Sequence, residues 1–124
     1  MSENHQLPTN ASVLEQLMRV IEQRYRDRPP KSYTSKLFEG GVPLMGEKIL
    51  EEAREVVEAA AEPGEAGRTH FIHEVADLLY HTWVLVGSKE VSLHEIEAEL
   101  ARRFGISGLD EKASRTKPTT PPEA

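Results

Sequence analysis

The chain has 124 residues, no cysteine, and 21 acidic against 15 basic residues, for a formal charge of −6. That length is one domain's worth of chain, and the missing cysteine excludes disulfides, thiol nucleophiles and cysteine-held zinc. An acidic chain with no basic block excludes a duplex nucleic-acid binder, whose affinity rests on neutralising phosphates. In chain order, MSENHQLPTN is polar and has no apolar signal core, so residues 1–11 read as a flexible N-terminus of a cytoplasmic protein. SVLEQLMRVIEQRYRDR follows with Val13, Leu14, Leu17, Met18, Ile21 and Tyr25 at helical spacing. Ser12 and Glu15 form a capping-box pattern at its start, and Pro29-Pro30 ends it. KSYTSKLFEGGVP, residues 31–43, has no helical period and reads as an ordered loop. A second helix is predicted from about Leu44 to Ala61, a turn at EPGEAG, and a third helix from about Gly67 to Val86. Asp77 and His81 interrupt the longest apolar stretch, residues 75–87, so no membrane span is expected. Ser92 and Glu95 open a fourth helix through Leu93, Ile96, Leu100 and Phe104, which Gly105 stops. Residues 12–115 are read as the domain and the proline-bearing residues 116–124 as a disordered tail. No strand pattern competes, so the expected fold is an all-α, antiparallel four-helix bundle.

The acidic residues sort by angle, because an α-helix turns about 100° per residue. Take Ile49 as origin on the second helix. Ala53, Val56 and Ala60 fall within about 40° of it and form the expected core stripe, while Glu52 lies at about 300° and Glu55 at about 240°. Lys48 falls between them, placed to pair with Glu52 at i, i+4, and Glu58 points away from the stripe. On the third helix, with Phe71 as origin, Val75, Leu78, Leu79 and Val86 form the stripe. Glu74 lies at about 300°, Asp77 at about 240°, and His70 and His81 between them. Each helix therefore carries an i, i+3 carboxylate pair on the same flank. One reading is a pair of solvated acidic faces. The other is a shared site, in which four clustered carboxylates need a cation to offset their repulsion. Oxygen donors without cysteine favour Mg²⁺ or Mn²⁺, and Mg²⁺ typically bridges to substrate phosphates. A di-iron bundle needs Glu-x-x-His twice, and no glutamate here has a histidine three residues later. His70, His73 and His81 read as polar residues at a helix flank, with His81 one turn from Asp77; Tyr80 and Trp83 read as packing residues.

E-x-x-E followed by E-x-x-D on the next helix resembles the all-α nucleoside triphosphate pyrophosphohydrolase superfamily. Within it, SYTSKLFEGG (32–41), GEKILEEAREVVEAA (46–60), EVADLLYH (74–81) and SGLDEKASR (107–115) resemble the phosphoribosyl-ATP pyrophosphohydrolases of histidine biosynthesis. The resemblance implies hydrolysis of phosphoribosyl-ATP to phosphoribosyl-AMP and pyrophosphate. It implies Glu52, Glu55, Glu74 and Asp77 as Mg²⁺ ligands, with Mn²⁺ as a substitute. Glu51, bordering the cluster, is the candidate to orient water or act as base. Lys36, Lys48, His81, Lys112 and Arg115 are the candidates to bind the polyanionic substrate, each otherwise read as ordinary surface or packing. Pro43-Leu44 departs from the polar residues that relatives carry there. The companion cyclohydrolase sometimes fused to this enzyme uses cysteines, so a monofunctional chain is expected. The wide apolar stripe on the third helix predicts a homodimer, and the resemblance agrees. Within the superfamily, the alternative is a house-cleaning pyrophosphatase acting on dUTP or other nucleotides.

Overall fold

The computed structural model describes residues 11–106. Among these the fold is all-α, as expected: α1 (Val13–Asp27), α2 (Tyr33–Ala60), α3 (Gly64–Ser88) and α4 (Leu93–Phe104). None of them is long and apolar enough to cross a membrane. Lys112, Arg115 and the two termini expected to be flexible lie outside the described residues, apart from Ala11.

Local chemistry sets the helix ends. Ser12 accepts a hydrogen bond from the Glu15 backbone N–H while the Glu15 carboxylate accepts one from the Ser12 N–H, satisfying two otherwise orphaned donors. α1 closes on Arg28, which takes the left-handed conformation at φ 50°. A non-glycine residue there needs compensation. Its guanidinium lies over the rings of Tyr25 (4.7 Å) and Phe38 (5.3 Å), and its Nε–H donates to the Tyr25 carbonyl at 2.9 Å.

The stretch expected to be a loop, residues 31–43, is helical from Tyr33. Ser32 caps it, accepting from the Ser35 N–H at 3.2 Å. Thr34, Ser35, Leu37 and Phe38 bury its inner face. Two of those four are polar, which hid the period. The helix breaks only at Gly41 (φ 72°, ψ −171°), a backbone conformation essentially confined to glycine. Pro43 follows in the first turn of the second rod, where its missing N–H costs no hydrogen bond. α2 is thus an arm, Tyr33 to Gly40, joined at an angle to a rod that ends at Ala60.

α2 runs antiparallel to α3: Tyr33, at the start of the arm, meets His81, and Glu62, just beyond the rod, meets His70. The turn between them is tight because Gly67 has no side chain; a Cβ there would overlap the Glu62 carbonyl. α1 packs on the far end of α3, with Ile21 Cγ2 2.8 Å from where a Gly87 Cβ would stand. Met18, Ile21, Leu37, Phe38, Met45, Ala59 and Val84 are buried.

The inward faces differ from the expected stripes. On the rod of α2 the buried residues are Met45 and Ala59, which bracket Glu52 in angle; Ala60 is exposed, and Ile49, Ala53 and Val56 are half-buried. On α3 the inward row is Gly67, Glu74, His81 and Val84, while Phe71 and Ile72 are exposed. Both faces are rotated toward the ionisable flank, by about 60° on α2 and about 100° on α3. The protomer covers its acid–histidine flank and leaves apolar side chains beyond the expected stripe open, with Leu50 72 % and Val57 70 % exposed.

The helix α4 belongs to a separate compact unit that begins at Val91. Its ends follow expectation, with the Ser92–Glu95 capping box and Gly105 in the left-handed conformation as C-cap. Glu99 is held by Arg102 and Arg103, whose guanidinium hydrogen bonds pull its carboxyl down to about 2.

Candidate active site

The antiparallel pairing of α2 and α3 brings three of the four expected carboxylates together. One oxygen each from Glu52, Glu55 and Glu74 lies within 4.8 Å of the others. Helix periodicity puts Glu52 and Glu55 on one flank, and the face rotation described above turns that flank inward. Glu74 is buried, at 7 % exposed, and two oxygens of the cluster, Glu52 Oε1 and Glu74 Oε1, are buried with no hydrogen-bond partner. Such groups cost free energy unless something satisfies them.

Protonation partly relieves the crowding. Burial first, then the hydrogen bond with Glu74 and the charges of Asp77 and Glu55, push Glu52 up to about 7. Glu55 is raised as well, chiefly through its hydrogen bond with Glu74. Burial also opposes ionisation of Glu74, but hydrogen bonds from Glu52, Glu55 and His70 outweigh it and lower its pKa.

Asp77 stands slightly apart. It forms a second group with His73 and Glu74, again with one ligand atom each within 4.8 Å, and its Oδ2 lies 3.2 Å from His73 Nε2. Glu74 belongs to both groups. The donors of the Glu52–Glu55–Glu74 cluster are all oxygen, and two of them are buried and unsatisfied. They suit a hard divalent cation such as Mg²⁺ or Mn²⁺.

Glu51 pairs with Lys48, at 3.5 Å. Lys48 therefore faces Glu51 at i, i+3 rather than the expected Glu52 at i, i+4, and Glu51 raises its pKa, with Tyr33 adding to this. Lys36 is exposed on the arm of α2. His81 is buried and turned inward. Its Nδ1–H donates to the Asp77 carbonyl at 3.0 Å, the backbone rather than the carboxylate. In the neutral ring that leaves Nε2 to accept from the Tyr33 hydroxyl, also at 3.0 Å. Tyr33 is half exposed and lies near Lys48 and Glu52, which both act on its hydroxyl, although burial is the larger influence and raises its pKa.

Sequence reasoning passed over Tyr33, His70 and His73. The two histidines carried a usable signal, since each stands four residues before an acidic site residue, Glu74 and Asp77. Tyr33 carried none, because its partner His81 is 48 residues away.

Comparison with known proteins gives the family. The family model described as phosphoribosyl-ATP pyrophosphohydrolase matches residues 14–104. A protein of Rhodopirellula baltica named phosphoribosyl-ATP pyrophosphatase is 51 % identical over 109 residues, covering 88 % of this chain and 91 % of the relative. Proteins of the same name from Methylococcus capsulatus and Geobacter metallireducens are each 44 % identical, covering 83 % and 85 % of this chain and 95 % and 94 % of theirs. The matched residues include α1 to α4 almost whole and every carboxylate of the cluster. The chain belongs to the phosphoribosyl-ATP pyrophosphohydrolase family of hydrolases.

Proposed function

We propose that the chain hydrolyses phosphoribosyl-ATP to phosphoribosyl-AMP and pyrophosphate in the cytoplasm, with Mg²⁺ as cofactor and Mn²⁺ able to replace it. The observation that carries the reading is the Glu52–Glu55–Glu74 cluster with two buried, unpartnered oxygens, in a chain of this family. Glu52, Glu55, Glu74 and Asp77 hold the cation. When bound, it neutralises negative charge on the phosphate oxygens. Glu51 orients the attacking water and takes its proton, and Lys48 beside it holds the phosphates. Lys36, Lys112 and Arg115 add positive charge for the triphosphate. His81 acts on the substrate side through the Tyr33 ring that it fixes. Pyrophosphate release from phosphoribosyl-ATP, with and without Mg²⁺ and against a panel that includes dUTP, tests the reading. Turnover confined to phosphoribosyl-ATP supports it, and preference for dUTP would move the chain to the house-cleaning branch.

We also propose that the working form is a homodimer. Leu50 and Val57 on α2 and Phe71 and Ile72 on α3 are apolar side chains that the protomer leaves exposed. Exposed apolar patches mark association surfaces. Sedimentation of the wild-type chain at micromolar concentration should give a dimer, and Val57→Asp should give a folded monomer. A wild-type monomer would end this proposal.

A further inference from the structure

We infer that His70 is a positioning residue that divides the two oxygens of Glu74, holding one and leaving the other for the cation, with Glu62 setting the ring. The inference rests on the cation site proposed above. Its structural basis is a chain of three side chains across the α2–α3 turn. His70 Nδ1 lies 3.0 Å from Glu62 Oε1, and its Nε2 lies 3.0 Å from Glu74 Oε2. Each ring nitrogen thus faces a carboxylate. The remaining Glu74 oxygen, Oε1, is buried and has no partner. That is the oxygen left over for a ligand once Oε2 is committed.

The turn is built to make this chain. His70 and Glu74 are one helical turn apart on α3, so they meet at i, i+4 without distortion. Glu62 lies outside α3 and reaches the ring only because the turn folds back over Gly67, where any side chain would strike the Glu62 carbonyl. A glutamate has three rotatable bonds and loses that freedom when it binds a cation. Groups that hydrogen-bond a ligating side chain fix its orientation beforehand, and losing them typically costs ~10–100-fold in metal affinity.

A competing effect has the opposite sign. A positive ring beside Glu74 would repel a cation, and removing it would then tighten binding. For both contacts to be hydrogen bonds each nitrogen must donate, which makes the ring an imidazolium; Glu62 on the other nitrogen offsets its charge, so a directed N–H is what chiefly reaches Glu74. His70→Gln separates the two effects, because glutamine at i, i+4 can still donate to Glu74 but carries no charge.

The test is Mn²⁺ binding to the full chain without substrate, followed by the electron paramagnetic resonance of free Mn²⁺. His70→Ala should weaken the affinity ~10–100-fold, while His70→Gln stays within about threefold of wild type and Glu62→Ala falls between them. In Mg²⁺-dependent turnover, His70→Ala should need more Mg²⁺ for half-maximal rate and recover most of its rate at saturation. Metal-free melting curves check that each variant is folded. Equal affinity of His70→Ala and wild type overturns the inference and leaves the pyrophosphohydrolase reading intact. Tighter binding by His70→Ala, or equal weakening by His70→Gln and His70→Ala, also overturns it. A wild-type chain that binds no Mn²⁺ overturns both readings.

Discussion

Replacing Glu52 by glutamine is expected to lower kcat/KM by at least ~100-fold and, in the same protein, to raise the melting temperature without metal. Both effects follow from one side chain. Glu52 contributes an oxygen to the three-carboxylate cluster, and a bound cation is worth several kcal/mol of charge stabilisation in phosphate chemistry. At about 1.4 kcal/mol per tenfold in rate, losing even part of that removes most of the activity. Without metal the same carboxylate is a liability. Its Oε1 is buried and unpartnered, and it stands beside Glu55 and Glu74. Glutamine keeps the shape, removes one of the crowded charges, and offers an amide N–H to Glu74, a bond worth about 1 kcal/mol. Steady-state kinetics and calorimetry on the same preparation check the pair. Full activity in the variant, or a lower melting temperature, would show that Glu52 is not placed as argued.

A second large effect is expected from pH and Mg²⁺ together. Glu52 in the folded chain titrates near 7, well above the ordinary value of 4.5. The folded state therefore holds a proton that the unfolded chain has released, and stability falls as pH rises through the interval from about 4.5 to about 7. The raised Glu55 slopes the same way. So does His70, which its Glu62 bond raises above 6.5: its contribution is lost as pH climbs past that raised value. Glu74 is lowered and acts in the opposite sense, but only at acid pH, below its ordinary 4.5. In chelator, the melting temperature should fall from pH 5 to pH 8. Mg²⁺ should reverse this, because the cation and the Glu52 proton compete for one site. At a hundred times its dissociation constant, a ligand stabilises by about 2.7 kcal/mol. For a domain of this size that is on the order of 10 °C, and it should appear at pH 8 and shrink at pH 5. Calorimetry in chelator and in Mg²⁺ at three pH values decides this. A melting temperature that Mg²⁺ leaves unmoved at pH 8 would be incompatible with a cation site at this cluster.

The parts of this molecule governed by near neighbours along the chain are legible in its sequence. Ser12 with Glu15, Ser92 with Glu95, and Gly105 each act within one helical turn, and each sits where its residue type requires. The i, i+3 acidic pairs are legible for the same reason. Features set by distant partners are harder to read. An apolar stripe announces a face that is covered, but not by which chain. Here the protomer covers Glu52, Glu74 and His81 and leaves Leu50 and Val57 open. The arm from Tyr33 escapes a periodicity reading because two of its four inward residues are a threonine and a serine. The Glu62–His70 contact joins residues eight apart across a turn, a spacing that no helical pattern marks. Lys48 chose Glu51 over Glu52, and both lay within reach on the helix.

Two of the bare α-carbons described above have different evolutionary prospects. At Gly87 an added methyl would press on the Cγ2 branch of the Ile21 side chain, 2.8 Å away. That is a conflict between two side chains, and a second change that removes the β-branch methyl, such as Ile21→Leu, opens the room again. Gly87 and Ile21 can therefore drift as a compensating pair. At Gly67 the obstacle is the carbonyl of Glu62, which every residue type would supply in the same place. No partner codon can relieve it. A lineage of such chains can rebuild the α1–α3 contact by paired substitutions, whereas the turn that delivers Glu62 to His70 has no second-site route away from glycine.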